Sequence, residues 1–212
     1  ERFDTPTAMP SLQAPSQLPV TAYFDSALFE QEQALLFAQN PRYIGHSLAT
    51  PEVGDFYTLP QENGGRALIN TRNGIELISN VCRHRQAILL QSKPDSPVKG
   101  QGQTGETIVC PLHRWTYSVQ GELLAAPHFD VDPCLNLNRY SLHNWNGLLF
   151  EDGVTPPNKP ARYAQRDLGG IGCISDLDFS GYVFHKAHVH ECSYNWKSFI
   201  EVYLEDYHVE PF

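Results

Sequence analysis

Two short segments of this 212-residue chain hold the residue types that bind metals. The first reads Cys-Arg-His, with Cys82 and His84, and the second reads Cys-Pro-Leu-His, with Cys110 and His113. In an extended segment side chains two apart share a side, and a tight turn brings residues three apart together, so each segment offers one thiolate and one imidazole to a common centre. Such ligands suit zinc, or a two-iron cluster in which two histidines replace two cysteines on one iron. Zinc needs only a tetrahedral sulfur and nitrogen shell. Each segment here nevertheless mixes a Cys with a His, whereas ordinary zinc spacing pairs like with like. A third candidate lies in EVYLEDYHVEPF, where Glu205 and His208 stand three apart and would be neighbours on one helix face. That pair is either an ordinary polar face or half of a metal site; a di-iron bundle would need the motif twice.

The segments between these residues read as short strands. From Arg42 to Phe150 the runs DFYTL, RALIN, IELISNV, ETIVC and GLLFE alternate with GG, NG and Pro-containing turns. This pattern predicts a small antiparallel β domain over residues 42–150. Between the two metal-binding segments, QSKPDSPVKGQGQTGE is rich in Pro, Gly and charge and reads as a surface loop. Residues 1–41 comprise a Pro, Ser and Gln-rich arm, with order beginning near Leu18, and then an amphipathic helix ended by Pro41. The apolar residues of that helix, Phe24, Leu28, Leu35 and Phe37, read as core packing.

Residues 151–212 begin with a linker, EDGVTPPNKPARYAQ, followed by a short strand, YVFHKAHVHECS, and a helix opening at Tyr194 and Asn195. On that helix Trp196, Phe199, Ile200, Tyr203 and Tyr207 form an apolar stripe, and Lys197, Glu201, Glu205 and His208 form a second, polar one. His188 and His190 would share a strand face near His185, but no acid or thiol is placed to complete a metal shell, so they read as exposed or hydrogen-bonded histidines. The five cysteines are widely spaced and make a poor disulfide framework. Cys134, Cys173 and Cys192 read as buried small apolar residues.

A formal charge of -9 argues against nucleic acid or an anionic membrane as partner, since nothing would neutralise phosphates. No apolar run approaches the roughly 20 residues of a membrane span, and the first residues lack signal-peptide features, so a soluble cytoplasmic protein is expected.

Taken with their flanks, NVCRHRQAILLQ and VCPLHRWTYSVQGELLAAP resemble the two cluster-binding loops of Rieske proteins. The resemblance is to the large (alpha) subunit of Rieske non-haem iron oxygenases, of the aromatic ring-hydroxylating type. It implies a [2Fe-2S] cluster with Cys82 and Cys110 on one iron and His84 and His113 on the other. Trp115 and Tyr117 would then shield the cluster and donate hydrogen bonds to it, a role compatible with filling a small β core. The gap from Arg85 to Val109 is longer than the family usually shows and reads as an insertion at a loop tip. The extra cysteine pair of the respiratory Rieske type is missing, which leaves the oxygenase-like or ferredoxin-like branch.

The stretch NWKxxxExxxExYH, from Asn195 to His208, resembles the first helix of the oxygenase catalytic domain. By that resemblance His208 is the first ligand of a mononuclear Fe(II), and Glu205, with Asp206 the weaker candidate, is the catalytic bridge to a Rieske histidine of a neighbouring subunit. The second iron-binding His would fall just past Phe212 and the carboxylate ligand far beyond, so the catalytic domain is expected to be incomplete in this chain. The implied fold is mainly β: a Rieske domain with an N-terminal helical arm, then the strand-helix start of an α+β catalytic domain. The implied activity takes electrons from an NAD(P)H-dependent reductase or ferredoxin and uses O2 to hydroxylate or demethylate a small organic, often aromatic, substrate. A homo-oligomer, a trimer in this family, is implied as well. A stand-alone Rieske ferredoxin and a structural zinc protein are the alternatives.

Overall fold

The computed structural model describes residues 18–92, 96, 98–155, 157 and 178–204. The chain divides into two compact units, one made of Gln33–His190 and the other of its two ends, Glu1–Glu32 with Glu191–Phe212.

The larger unit is the antiparallel β structure the alternating runs predict. Its strands are β1 (Arg42–His46), β2 (Asp55–Thr58), β3 (Arg66–Thr71), β4 (Gly74–Ser79), β5 (Gln101–Gln103), β6 (Thr107–Val109), β7 (Thr116–Ser118), β8 (Leu123–Ala125), β9 (Arg139–Tyr140), β10 (Leu142–Trp145) and β11 (Leu148–Glu151). They form a five-stranded sheet of order β5-β2-β3-β4-β9 and two three-stranded sheets, β1-β11-β10 and β6-β7-β8.

The five-stranded sheet buries both faces, because side chains alternate along each strand. Phe56, Ala67, Ile69 and Ile78 join Ile108, Trp115 and Tyr117 in one apolar cluster, which also contains Cys82 and Cys110. Their sequence neighbours Tyr57, Leu68 and Leu77 point the other way and pack with Ile44 and Leu149. Burial on both sides explains why Ala67-Leu68-Ile69 is a continuous apolar run with each residue at 0% exposure. The edge of this core is polar. Arg66 on β3 is 8% exposed and makes paired bonds to Glu62 (2.6 and 2.6 Å) and to Glu151 on β11 (2.8 and 3.1 Å). Arg42 reaches the same two carboxylates, at 3.2 and 2.8 Å. Burial alone would raise the Glu151 carboxyl, but the bonds from Arg66 and Arg42 outweigh it and hold that group below the usual carboxylate range.

Expectations for one loop, one strand and two cysteines change. The segment read as a surface loop contains β5, which pairs with β2 in the register Phe56 to Gly102. Gln-Gly-Gln has no strand signature, yet a Cβ on Gly102 would lie 2.5 Å from the Phe56 ring. The missing side chain is what lets this strand lie over that ring. Residues 182–193 carry no strand, because none of the described residues supplies a ladder for them. His188 and His190 still fall side by side, their rings 6.1 Å apart, as the spacing implies. Cys134 and Cys192 are exposed, so neither is the buried apolar residue expected; Cys173 lies outside the described residues.

In the smaller unit, α1 (Ser26–Glu32) starts at Asp25, whose Oδ1 accepts from the backbone N of Ala27 and Leu28. The chain then takes a π-helical turn, Gln33–Phe37, with which the larger unit begins. The helical expectation holds here, but the core expectation fails for Phe24, Leu35 and Phe37, which are exposed, while Leu28 is half-buried. The other helix, α2 (Trp196–Leu204), is capped by Asn195, whose Oδ1 accepts from Lys197 N at 3.1 Å. Its buried residue is Lys197, while Phe199, Ile200 and Tyr203 of the apolar stripe are exposed.

Candidate metal centre

The two Cys/His segments fold into the same loop. In the first, Cys82 N donates to Ala87 O (2.8 Å) and Gln86 N donates to Cys82 O (3.0 Å). In the second, Cys110 N donates to Trp115 O (2.8 Å) and Arg114 N donates to Cys110 O (3.1 Å). Each loop closes through the fifth residue after its Cys, with the fourth in the left-handed region, Gln86 at φ 57° and Arg114 at φ 58°. The extended geometry expected for Cys-Arg-His is therefore replaced by a turn over residues 83–85. A closed backbone ring tolerates the one-residue difference in His position, because both histidines ride on the loop between its fixed ends.

A residue the motif search passed over anchors the first loop. Asn80 is fully buried, and its amide donates to Gly64 O (2.9 Å) and Leu90 O (3.0 Å) while accepting from Leu90 N (2.7 Å). Its backbone oxygen accepts from Leu89 N as well. The two ends of the segment, residues 80 and 90, are thus pinned by one side chain. A lone Asn closing an apolar run just before a Cys was the available signal.

The side chains of the two loops then meet. The rings of His84 and His113 are 4.7 Å apart, edge to face. Trp115 stacks on His84 with 5.0 Å between centroids and 8° between planes, and Phe129 packs edgewise on both rings. Phe129 is a second residue that sequence reasoning missed, since it lies outside both motifs. Cys82 and Cys110 are buried at 1% and 2% exposure, while His113 is exposed. Tyr117 Oη lies 3.4 Å from Cys82 Sγ and accepts from Arg83 N at 3.2 Å. Burial, then the contact with Cys82, pushes the phenol up, so it stays protonated and can donate to Cys82 Sγ.

These residues fit a [2Fe-2S] group. His84 Nδ1 is buried and has no hydrogen-bond partner, a bare nitrogen of the kind a metal ligand must present. Burial, followed by His113 and Arg85, pushes the His84 imidazole down toward the neutral form that binds metals. Among the described residues no three His, Cys, Asp or Glu side chains converge on one point for a single ion. A two-iron cluster asks for less, because each iron takes two protein ligands and the bridging sulfides supply the rest. Glu205, Asp206 and His208 lie outside the described residues.

Comparison with known proteins agrees with this geometry. Residues 48–140 match the family model of the Rieske [2Fe-2S] domain. The putrescine 2-hydroxylase of Ralstonia nicotianae is 53% identical over 206 residues, an alignment covering 97% of this chain and 52% of that protein. The carnitine monooxygenase oxygenase subunit of Acinetobacter baumannii is 26% identical over 203 residues, covering 91% of this chain and 51% of that one. Among solved structures, the quaternary ammonium Rieske monooxygenase CntA superposes with a TM-score of 0.66 at 22% identity, over 91% of this chain and 53% of its own, which shows a shared fold. The chain spans about half the length of the curated relatives it matches, 52% and 51% for these two. No helix among the described residues is long and apolar enough to cross a membrane. Residues 48–140 of this chain are a Rieske [2Fe-2S] domain.

Proposed function

We propose that this chain is the cluster-bearing part of a Rieske-type oxygenase that hydroxylates a small aliphatic amine. The observation that carries the reading is the pair of identically closed loops, which buries two thiols and leaves His84 Nδ1 bare beside His113. Cys82 and Cys110 would hold one iron and His84 and His113 the other. When bound, the cluster supplies one-electron transfer, and a mononuclear Fe(II) in the full-length protein supplies dioxygen activation. His208 is the proposed first ligand of that Fe(II) and Glu205 the proposed bridge, both by resemblance.

The residues of this chain would do the following. The buried thiols and the Trp115 and Phe129 rings exclude water from the cluster face, and Tyr117 donates a hydrogen bond that stabilises negative charge on Cys82. His113 stands exposed as the exit or entry edge for electrons. Arg83, Arg85 and Arg114 are exposed beside the ligands, and none forms an ion pair among the described residues. In a chain of net charge -9 such a basic rim favours an acidic electron donor, a reductase or ferredoxin. The amine substrate is supported by the 53% identity to a putrescine 2-hydroxylase, in place of the aromatic substrate expected from the motifs alone.

The test is spectroscopic first. Full-length protein should show the visible and EPR signature of a Rieske cluster and convert putrescine with NAD(P)H, a reductase and O2. A colourless protein holding stoichiometric zinc would overturn the cluster; an intact cluster with no oxygen uptake on putrescine would overturn the substrate.

A further inference from the structure

The two ends of the chain meet around one carboxylate. Glu32, the last residue of α1, accepts from Lys197 Nζ at both oxygens (2.7 and 2.8 Å) and from Trp196 Nε1 at 2.9 Å. Both charged side chains are nearly out of solvent, at 11% exposure for Glu32 and 8% for Lys197. The Lys197 ammonium also lies over the Tyr23 and Trp196 rings, 5.9 and 5.3 Å from their centroids. Asn195 Nδ2 donates to Tyr23 O at 3.2 Å, and Tyr23 Oη donates to Glu201. Four residues of α2 and its cap are therefore held by the segment from Tyr23 to Glu32, and every one of these bonds is polar.

This is an unusual way to hold a helix. An apolar stripe packs through non-directional contacts, and the stripe of α2 is exposed through Phe199, Ile200 and Tyr203. Hydrogen bonds to Glu32 are directional and fix the rotation of α2 about its axis. Glu205 and His208 follow α2 directly in the sequence.

We propose that Glu32 is a positioning residue for the catalytic segment, acting through Lys197 and Trp196 to fix the orientation of α2. This rests on the reading above, in which Glu205 and His208 serve catalysis. The N-terminal segment then belongs functionally to the helix at the other end of the chain, and the Rieske domain is an insertion between them.

The experiment uses full-length protein with four variants, Glu32→Gln, Glu32→Asp, Lys197→Met and the double Glu32→Gln/Lys197→Met, with His208→Ala as control and putrescine as substrate. In the single variants the cluster absorbance and EPR signal stay unchanged. Hydrogen exchange rises in residues 196–204 but not in residues 107–118. Turnover number falls by roughly tenfold, the low end for groups that orient a metal ligand, with KM nearly constant. Glu32→Asp, which keeps the charge on a shorter arm, should fall between. The double variant recovers thermal stability, because no unpaired charge remains, but does not recover turnover. Recovery of both would mean the pair is only a structural brace and would overturn the proposal. So would wild-type turnover in Glu32→Gln when His208→Ala is dead. Turnover retained by His208→Ala would instead overturn the underlying reading of the catalytic segment.

Discussion

The cluster loops and the clamp at the chain ends are held in opposite ways. Each cluster loop closes on itself within six residues through backbone bonds, from Cys82 to Ala87 and from Cys110 to Trp115. The clamp joins side chains separated by 164 to 178 positions in the sequence. A locally closed loop reaches the same geometry wherever it is placed, and so it can be repeated. A long-range polar clamp forms only after the chain has folded, but it fixes orientation better than apolar packing does. Under the proposed function, electron transfer would need a stable ligand cage, and the segment after α2 a fixed helix before it.

The sharpest way to break the comparison is at the cage. Cys82→Ser or Cys110→Ser should abolish the cluster altogether, read as loss of visible absorbance, EPR signal and acid-labile sulfide, while α2 keeps its hydrogen-exchange protection. If either variant also freed α2, the two regions would not be independent.

A smaller effect tests the β domain's own buried ion pair against that of the clamp. Arg66→Met should cost about 3 kcal/mol by denaturant unfolding, the low end for a broken buried pair because Arg42 still reaches both carboxylates. The pH dependence follows from Glu151, whose carboxyl is held low in the folded state. Its stabilisation is present above the ordinary carboxylate range and is lost as pH falls through the lowered folded value. Glu151→Gln should therefore flatten the acid limb of the stability profile.

Tyr117→Phe should leave the cage intact and shift its electronics. Losing a hydrogen bond to a charged thiolate, worth about 1.5–3 kcal/mol, lowers a one-electron potential by up to roughly 65–130 mV, measurable by protein-film voltammetry. An unchanged potential would mean that the 3.4 Å contact carries no hydrogen bond in the loaded protein.

The smallest effect checks that the loops are equivalent. Gln86 and Arg114 sit at φ 57° and 58°, where glycine is free of strain. Gln86→Gly and Arg114→Gly should each stabilise by about 0.5–1 kcal/mol in thermal melts, and by the same amount. Unequal shifts would show that the one-residue difference between the motifs is felt in the backbone.

What could be read in advance follows the same division. RALIN and IELISNV were legible as strands because alternation and β-branched residues are local signals, and Cys82, His84, Cys110 and His113 were legible as candidate ligands because their types and spacing suit metal binding. Gln-Gly-Gln was not legible as β5, since its strand depends on the Phe56 ring opposite Gly102. The apolar residues from Phe24 to Phe37 suggested a core that their own helix does not form. Asn80 and Phe129 escaped notice because their roles exist only through residues brought near by folding.

The sequence by itself offered the candidate ligands Cys82, His84, Cys110 and His113 and most of the run of strands, because these depend on residue type and on spacing within one loop or strand. Only the tertiary structure decided that two unequal motifs close into one loop geometry, that Asn80 pins the first of them, and that Lys197 turns inward to Glu32. Those outcomes depend on which distant groups compete for each buried donor and acceptor, and that competition is settled only when the chain has packed.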